Sequence, residues 1–134
     1  VNFELLLPPG LEGEIHADQD YMRRLIVNFA DNALHSMDEA NVANRSFKVE
    51  FGIQTPGWLS AAFIDNGPGV PAALREKIFD PYITSKASGL GLGLPIVRRI
   101  AMEHLGRIRC EAGPGGRFIF EVPLMKKESQ EMNA

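Results

Sequence analysis

The sequence has little cysteine, no long apolar run and no excess of basic residues. Its 134 residues include one cysteine, Cys110, which excludes an internal disulfide and a cysteine-based metal site. No apolar run approaches the roughly 18 residues that a membrane-spanning helix needs, and no signal peptide is visible. A net charge of −3 argues against a nucleic-acid-binding domain, which usually carries a basic stripe. These absences predict a cytoplasmic domain, and the first residue, Val1, suggests a fragment of a longer protein.

The composition is typical of a folded domain. Apolar residues make up 45% of the chain and charged residues 23%. A chain of this length is expected to form one compact domain with a substantial core. We predict that this domain spans residues 1–124 and that the polar segment 125–134 is a frayed tail.

Apolar periodicity predicts an alternation of strands and helices. Strands are expected over residues 2–7, 14–16, 46–54 and 59–64, with a closing hairpin over 107–112 and 117–122. A long helix should run from Asp18 to about Glu39, and shorter helices over 72–78 and 92–104. The predicted buried side of the long helix consists of Met22, Ile26, Phe29, Ala33 and Met37. This order predicts an α+β fold, a two-layer sandwich with helices on one face of a mixed sheet.

Two glycine clusters, 65–69 and 89–94, enclose a segment that is rich in basic and hydroxyl side chains. The second cluster has neither the spacing of a phosphate-binding P-loop nor that of a Rossmann fingerprint. Glycines before a helix allow close backbone approach, and the helix N-terminus offers free N–H groups to a phosphate. A flexible loop explains this cluster equally well when it is considered alone.

Three polar side chains indicate a ligand. Asp65 ends an apolar strand, where a carboxylate is costly to bury without a partner such as the exocyclic amine of adenine. Asn28 and Asn32 are four residues apart on the long helix and share a stripe with His35. Mg²⁺ that is bound mainly through nucleotide phosphates needs only one or two protein oxygens. Each residue also has an ordinary alternative, as a turn residue, a helix hydrogen-bonding residue or a surface residue.

Four segments together resemble the catalytic domain of histidine kinases. Residues 28–33 (Asn-Phe-Ala-Asp-Asn-Ala) resemble its N box, and residues 65–69 (Asp-Asn-Gly-Pro-Gly) its G1 box. Residues 78–82 (Ile-Phe-Asp-Pro-Tyr) resemble the F box, and residues 89–94 (Gly-Leu-Gly-Leu-Gly-Leu) the G2 box. All four occur in family order and at family spacing, and the likeness extends to Pro123.

The resemblance implies the Bergerat ATP-binding fold with an ATP lid, and ATP and Mg as cofactors. Asn32 would be the Mg²⁺ ligand, Asn28 would contact phosphate or the metal site, and Asp65 would bind the adenine amine. The other implied nucleotide-binding residues are His35, Gly67, Gly69, Gly89, Leu90, Gly91, Leu92, Gly93 and Leu94. The implied lid residues are Phe79, Tyr82, Thr84, Ser85 and Lys86. The short lid is similar to that of the nitrogen-regulation kinases.

Four departures from the family pattern concern single positions. Tyr82 stands where many members have Phe, and Leu90 replaces a common small or hydroxyl residue, so that one phosphate hydrogen bond is lost. Leu105 interrupts the usual His-Gly-Gly after the last helix, and Glu111 stands near a position where a serine often lies close to adenine.

The resemblance implies a function in two-component signalling. The domain would donate the γ-phosphoryl group of ATP to a histidine on a separate dimerisation domain of the same parent, which then serves a response regulator. No residue is assigned as a catalytic base, and the isolated domain is expected to be a monomer without nucleic-acid or membrane contacts. The open alternatives are an anti-sigma-type serine kinase or an ATPase of the same fold, and a non-catalytic nucleotide-gated interaction module.

Overall fold

The computed structural model describes residues 2–6, 19–80 and 93–124, and side chains are described within 20–80 and 94–124. The elements in chain order are β1 (Asn2–Leu6), α1 (Gln19–Glu39), β2 (Ser46–Gly52), β3 (Trp58–Asp65), a 3₁₀ helix (Ala72–Leu74), α2 (Gly93–Glu103), β4 (Arg107–Cys110) and β5 (Arg117–Pro123). Within the described segments, neither helix is long and apolar enough to cross a membrane. The strand predicted at 14–16 and the tail predicted at 125–134 lie outside the described residues.

The five strands form one mixed sheet in the order β1-β2-β3-β5-β4. β1 pairs with β2 in parallel, and the other neighbouring strands are antiparallel. The continuous apolar character of β3 is explained by its central position, where residues 60–63 are all buried. The predicted α+β fold with a mixed sheet is therefore confirmed.

Both helices pack on one face of the sheet, and the core lies between the two layers. The ring of Phe29 stacks on that of Phe63 with 4.3 Å between centroids, which fixes the rotation of α1 on the central strand. The prediction of Ile26 as a core residue was wrong, because its neighbour Leu25 is 2% exposed whereas Ile26 is 44% exposed. Adjacent helix residues point about 100° apart, so the rotation of α1 that buries Leu25 leaves Ile26 at the edge of the apolar stripe.

The two helices run antiparallel. The ring of His104, just after α2, meets Tyr21, near the start of α1, edge to face at 5.8 Å between centroids. The first turn of α2 consequently lies beside the middle of α1. Asn28 and Asn32 follow Tyr21 by seven and eleven residues, so they share the side of α1 that faces α2.

The helix predicted over 72–78 was wrong in type and extent. The structure has a 3₁₀ turn at Ala72–Leu74, followed by further turns up to Phe79. No residue of the 3₁₀ turn is buried, and a segment this short gains too little from packing to offset the cost of nucleating an α-helix.

Candidate functional site

A polar stripe on α1 borders the candidate site. Asn28, Asn32 and Ser36 recur every four residues, so the stripe extends about 12 Å along the helix. All three side chains are partly buried. The Nδ2 atom of Asn28 is buried without a hydrogen-bond partner, the one such side-chain atom in the part of the chain that the structure describes. Because buried polar groups are nearly always paired, this amide indicates a ligand that completes the site.

Asp65 lies at the other end of the stripe. Its side chain is 6% exposed, and its Oδ1 accepts hydrogen bonds from the backbone N–H of Gly67 at 2.8 Å and of Gly116 at 3.3 Å. Burial raises the pKa of this carboxyl, although the two hydrogen bonds oppose the rise. The orientation of the carboxylate is thus fixed by Oδ1, while Oδ2 is left to accept a hydrogen bond from a ligand donor such as an exocyclic amine.

Gly67 joins the stripe to Asp65. A Cβ atom at this position would lie 2.9 Å from both Asp65 Oδ1 and Ser36 Oγ. Only a residue without a side chain lets the two groups come so close, so Asn28, Asn32, Ser36 and Asp65 form one continuous polar strip. Ser36 was missed by the sequence analysis, although its four-residue spacing from Asn32 was visible.

The turn at Gly113–Gly116 holds Asp65 from the other side. A Cβ atom on Gly115 would lie 2.1 Å from the Asp65 carbonyl oxygen, and one on Gly116 would lie 2.2 Å from Oδ2. Gly69, at φ +79°, faces the same turn, with its ideal Cβ position 2.9 Å from the Gly115 carbonyl oxygen. Sequence reasoning treated this segment as a plain hairpin turn, although three glycines in four residues are more than such a turn needs.

Other predicted site residues occupy different environments. His35 hydrogen-bonds Glu39 at 3.2 Å beside the stripe. Phe79, predicted in the lid, is 6% exposed and packs against Phe118, and Leu94, predicted to bind nucleotide, is 1% exposed in the core. Gly93 begins α2. The remaining predicted lid and glycine-loop residues lie outside the described residues: Tyr82, Thr84, Ser85, Lys86, Gly89, Leu90, Gly91 and Leu92.

The side chains available for a metal ion are amides. Within residues 20–80 and 94–124, no group of three or more His, Cys, Asp or Glu side chains could hold a metal ion. Asn28 and Asn32 can offer one oxygen each, which fits a cation such as Mg²⁺ that takes its other ligands from phosphates and water.

Comparison with known proteins decides the family. The family model described as histidine kinase-, DNA gyrase B-, and HSP90-like ATPase matches residues 17–126. The chain belongs to this family. Within it, the chain is a catalytic domain of the sensor histidine kinase type, because its named relatives are sensor kinases.

Among these relatives, the C4-dicarboxylate transport sensor protein DctB of Rhizobium meliloti is 35% identical over 121 residues, which cover 90% of this chain and 18% of DctB. The sensory histidine kinase/phosphatase NtrB of Rhodobacter capsulatus is 30% identical over 92% of this chain and 35% of NtrB. Kinases of several sensory classes therefore match comparably, and the nitrogen-regulation subgroup is only one possibility. The chain spans no more than about a third of these relatives.

Solved structures of histidine kinases share the fold. The catalytic domain of histidine kinase ThkA superposes with a TM-score of 0.70 at 32% identity, covering 90% of this chain and 77% of that one. Full-length ShkA in complex with AMPPNP superposes with a TM-score of 0.76 at 28% identity, covering 93% of this chain and 26% of that one. ThkA has also been solved in complex with the response regulator protein TrrA. The histidine-kinase domain described here thus has the Bergerat fold.

Proposed function

We propose that this histidine-kinase domain binds Mg-ATP along the polar strip and donates the γ-phosphoryl group to a histidine of a separate helical domain of the same parent protein. The buried, unpaired amide of Asn28 carries the proposal. It lies one helical turn from Asn32 on a stripe that ends at Asp65, so adenine at Asp65 directs the phosphates towards the two asparagines. The ShkA complex with AMPPNP shows that a relative with this fold accepts such a nucleotide.

Asn32 would hold Mg²⁺, and the ion would neutralise part of the phosphate charge. Asn28 would donate its free N–H to a phosphate oxygen, and Asp65 Oδ2 would accept the adenine amine. The N-terminal end of α2 would add the partial positive charge and the free N–H groups of a helix start on the same side. Phosphoryl transfer depends mainly on such positioning and charge stabilisation, so no general base is required in this domain.

Asn28 also argues against hydrolysis of ATP as the main reaction. A neutral amide cannot accept a proton from water at neutral pH, so the strip contains no base at the position where hydrolytic relatives carry a glutamate. The protein is expected to use ATP slowly until an acceptor histidine is present. By extension from the ThkA–TrrA complex, the final recipient of the phosphoryl group would be a response regulator. A cytoplasmic location, where ATP is available, follows from this proposal.

The test is transfer of label from γ-labelled ATP. The domain should remain unlabelled alone and should label an added histidine-bearing helical bundle with an acid-labile bond. Asn32→Ala should lower the rate at least about tenfold with Mg²⁺ present, since it removes a metal oxygen. Asp31→Ala, at an exposed neighbour on the same helix, is the matched control and should leave transfer unchanged.

Three results would contradict the proposal. Acid-stable label on a serine would indicate a serine kinase, and rapid phosphate release without acceptor would indicate an ATPase. Nucleotide binding with no transfer to any cognate bundle would indicate a non-catalytic module.

A further inference from the structure

A cavity of about 450 Å³ adjoins the proposed nucleotide site, and Asp65 and Asn66 are among its lining residues. Its floor is Ile64, its sides are formed by Lys48, Glu50 and Arg117, and the Gly113–Gly116 turn closes one end. This volume lies within the range of small-molecule sites, which typically hold a ligand on an apolar floor with a few polar groups at the rim.

The cavity lies on the sheet face opposite the helices. Phe47 and Val49 contribute to the core, so the alternating residues Lys48 and Glu50 project to the other face. Lys48 pairs across the sheet with Ile64, and Ile64 pairs with Arg117. Since neighbouring strands lie about 4.8 Å apart, the two cationic residues start about 10 Å from each other, with the isoleucine between them. Both side chains are long enough to reach one anionic group placed above it.

The two cations that flank Ile64 favour an anion at that point. Lys48 and Arg117 each lie one strand away from Ile64, while the carboxylate residues nearest Lys48 in the sheet are Glu50 on β2 and Glu4, which is in register with Lys48 on β1. Glu111 accepts a hydrogen bond from Arg117 at 3.1 Å and another from Arg109 at 2.9 Å, which holds the Arg117 guanidinium in place. Lys48 has no ion-pair partner among the described residues.

The wall that closes the cavity also holds the nucleotide-binding carboxylate. The Gly116 carbonyl accepts a hydrogen bond from the Asp65 N–H at 3.0 Å, and the Gly116 N–H donates to the Asp65 side chain. The ideal Cβ positions on Gly115 and Gly116, 2.1 and 2.2 Å from Asp65 atoms, show how closely the two segments fit. A ligand that displaces the turn must therefore also displace Asp65.

We propose that this cavity is a second binding site, for a small molecule that carries a carboxylate or phosphate group on an apolar body, and that its occupancy changes nucleotide affinity through the Gly113–Gly116 turn. The coupling rests on the proposed role of Asp65 in binding adenine, whereas the site itself does not.

The probes for the site are benzoate and phenyl phosphate, with benzyl alcohol as the neutral counterpart. In ¹⁵N-resolved NMR of the domain, both anions should shift the amide signals of Lys48, Ile64 and Gly115, and benzyl alcohol should not. Lys48→Met should weaken binding of both anions at least fivefold or so, which matches the loss of one charge-assisted contact. Lys77→Met, which removes an exposed lysine outside the cavity, is the matched control.

The coupling is tested by titrating ATP with and without saturating benzoate. We expect a severalfold change in ATP affinity in the native chain and none in Lys48→Met, and the affinity for benzoate should change by the same factor when ATP is bound. Shifts of α1 signals alone would assign the anions to the nucleotide phosphate site and overturn the second site. Binding in the cavity with unchanged ATP affinity would overturn the coupling. Failure of ATP to bind would contradict the proposed function instead. The amide shifts caused by benzoate would then still show whether the cavity binds an anion.

Discussion

At the residue scale, the proposed role of Asp65 in binding comes at the expense of stability. The carboxylate is buried at 6% exposure and has only backbone N–H donors as described partners, at Gly67 and Gly116. Its raised pKa means that the folded domain prefers the protonated form more than the unfolded chain does. The ionised form at neutral pH therefore costs folding free energy. Under the proposed function, this cost keeps a hydrogen-bond acceptor in place for adenine.

Asp65→Asn is expected to separate the two effects. The amide oxygen can still accept the N–H groups of Gly67 and Gly116, but the amide nitrogen then faces the adenine amine, donor to donor. We expect ATP affinity to fall at least about tenfold by calorimetry, while the melting temperature without nucleotide stays equal or rises. Asp31→Asn, the same change at an exposed site, should alter neither quantity. A variant that melts lower and binds normally would contradict both roles of Asp65.

At the scale of elements, α2 ends in an unfavourable conformation. Leu105 has φ +57°, and the Gly106 N–H closes the helix by donating to the Ala101 carbonyl at 2.8 Å. This left-handed position after a helix is usually glycine, because a side chain there is crowded by the backbone. Leu105 is also 78% exposed, so it gains little packing in return. The departure from His-Gly-Gly that was noted in the sequence is therefore a strained helix end.

Leu105→Gly is expected to stabilise the domain. Relief of the left-handed strain contributes about 1–2 kcal/mol, partly offset by the greater freedom of glycine in the unfolded chain, so a net gain of about 1 kcal/mol is expected. The melting temperature should rise by about 3 °C. Leu105→Ala removes the same exposed surface but keeps the strain, and it should leave the melting temperature nearly unchanged. A lower melting temperature for the glycine variant would show that Leu105 makes a compensating contact.

At the scale of the whole molecule, the sequence predicted the features that depend on residue spacing within one helix or strand. It missed the contacts between distant residues that strand pairing brings together. The asparagine stripe, the central strand that ends at Asp65 and the mixed sheet follow from periods of 3.6 and 2. The contact of Gly115 and Gly116 with Asp65 joins residues some fifty positions apart, so only the pairing of β3 with β5 reveals it. The choice of Leu25 over Ile26 in the core likewise depends on how α1 is rotated against the sheet.

Ionic contacts cross the outer face of the sheet, and Glu121 is their buried member. Glu121 is 2% exposed and accepts hydrogen bonds from Arg107 at 3.0 Å and Arg109 at 2.6 Å. Burial by itself would raise the pKa of Glu121, but the two guanidinium groups outweigh it and the pKa is lowered. Hydrogen bonds from Arg109 and Arg117 lower the pKa of Glu111 in the same way, against a smaller opposing effect of burial.

These two glutamates should set the acid limit of the fold. A carboxyl whose pKa is lowered on folding contributes stability that is complete above its unfolded value, 4.5, and that is lost as the pH falls through the lower folded value. Asp65 acts in the opposite direction, because its protonation above its ordinary 3.8 relieves a buried charge. The free energy of unfolding should accordingly fall most steeply below pH 4.5.

Glu121→Gln should lose about 2 kcal/mol at neutral pH and show a shallower decline in acid, since it leaves two arginines with a neutral partner. Glu50 is an exposed carboxylate on the same face and has no ion pair among the described residues. In urea unfolding measured across this pH range, Glu50→Gln should therefore follow the native profile. Parallel acid declines for Glu121→Gln and the native chain would show that the ionic contacts of Glu121 do not limit the fold.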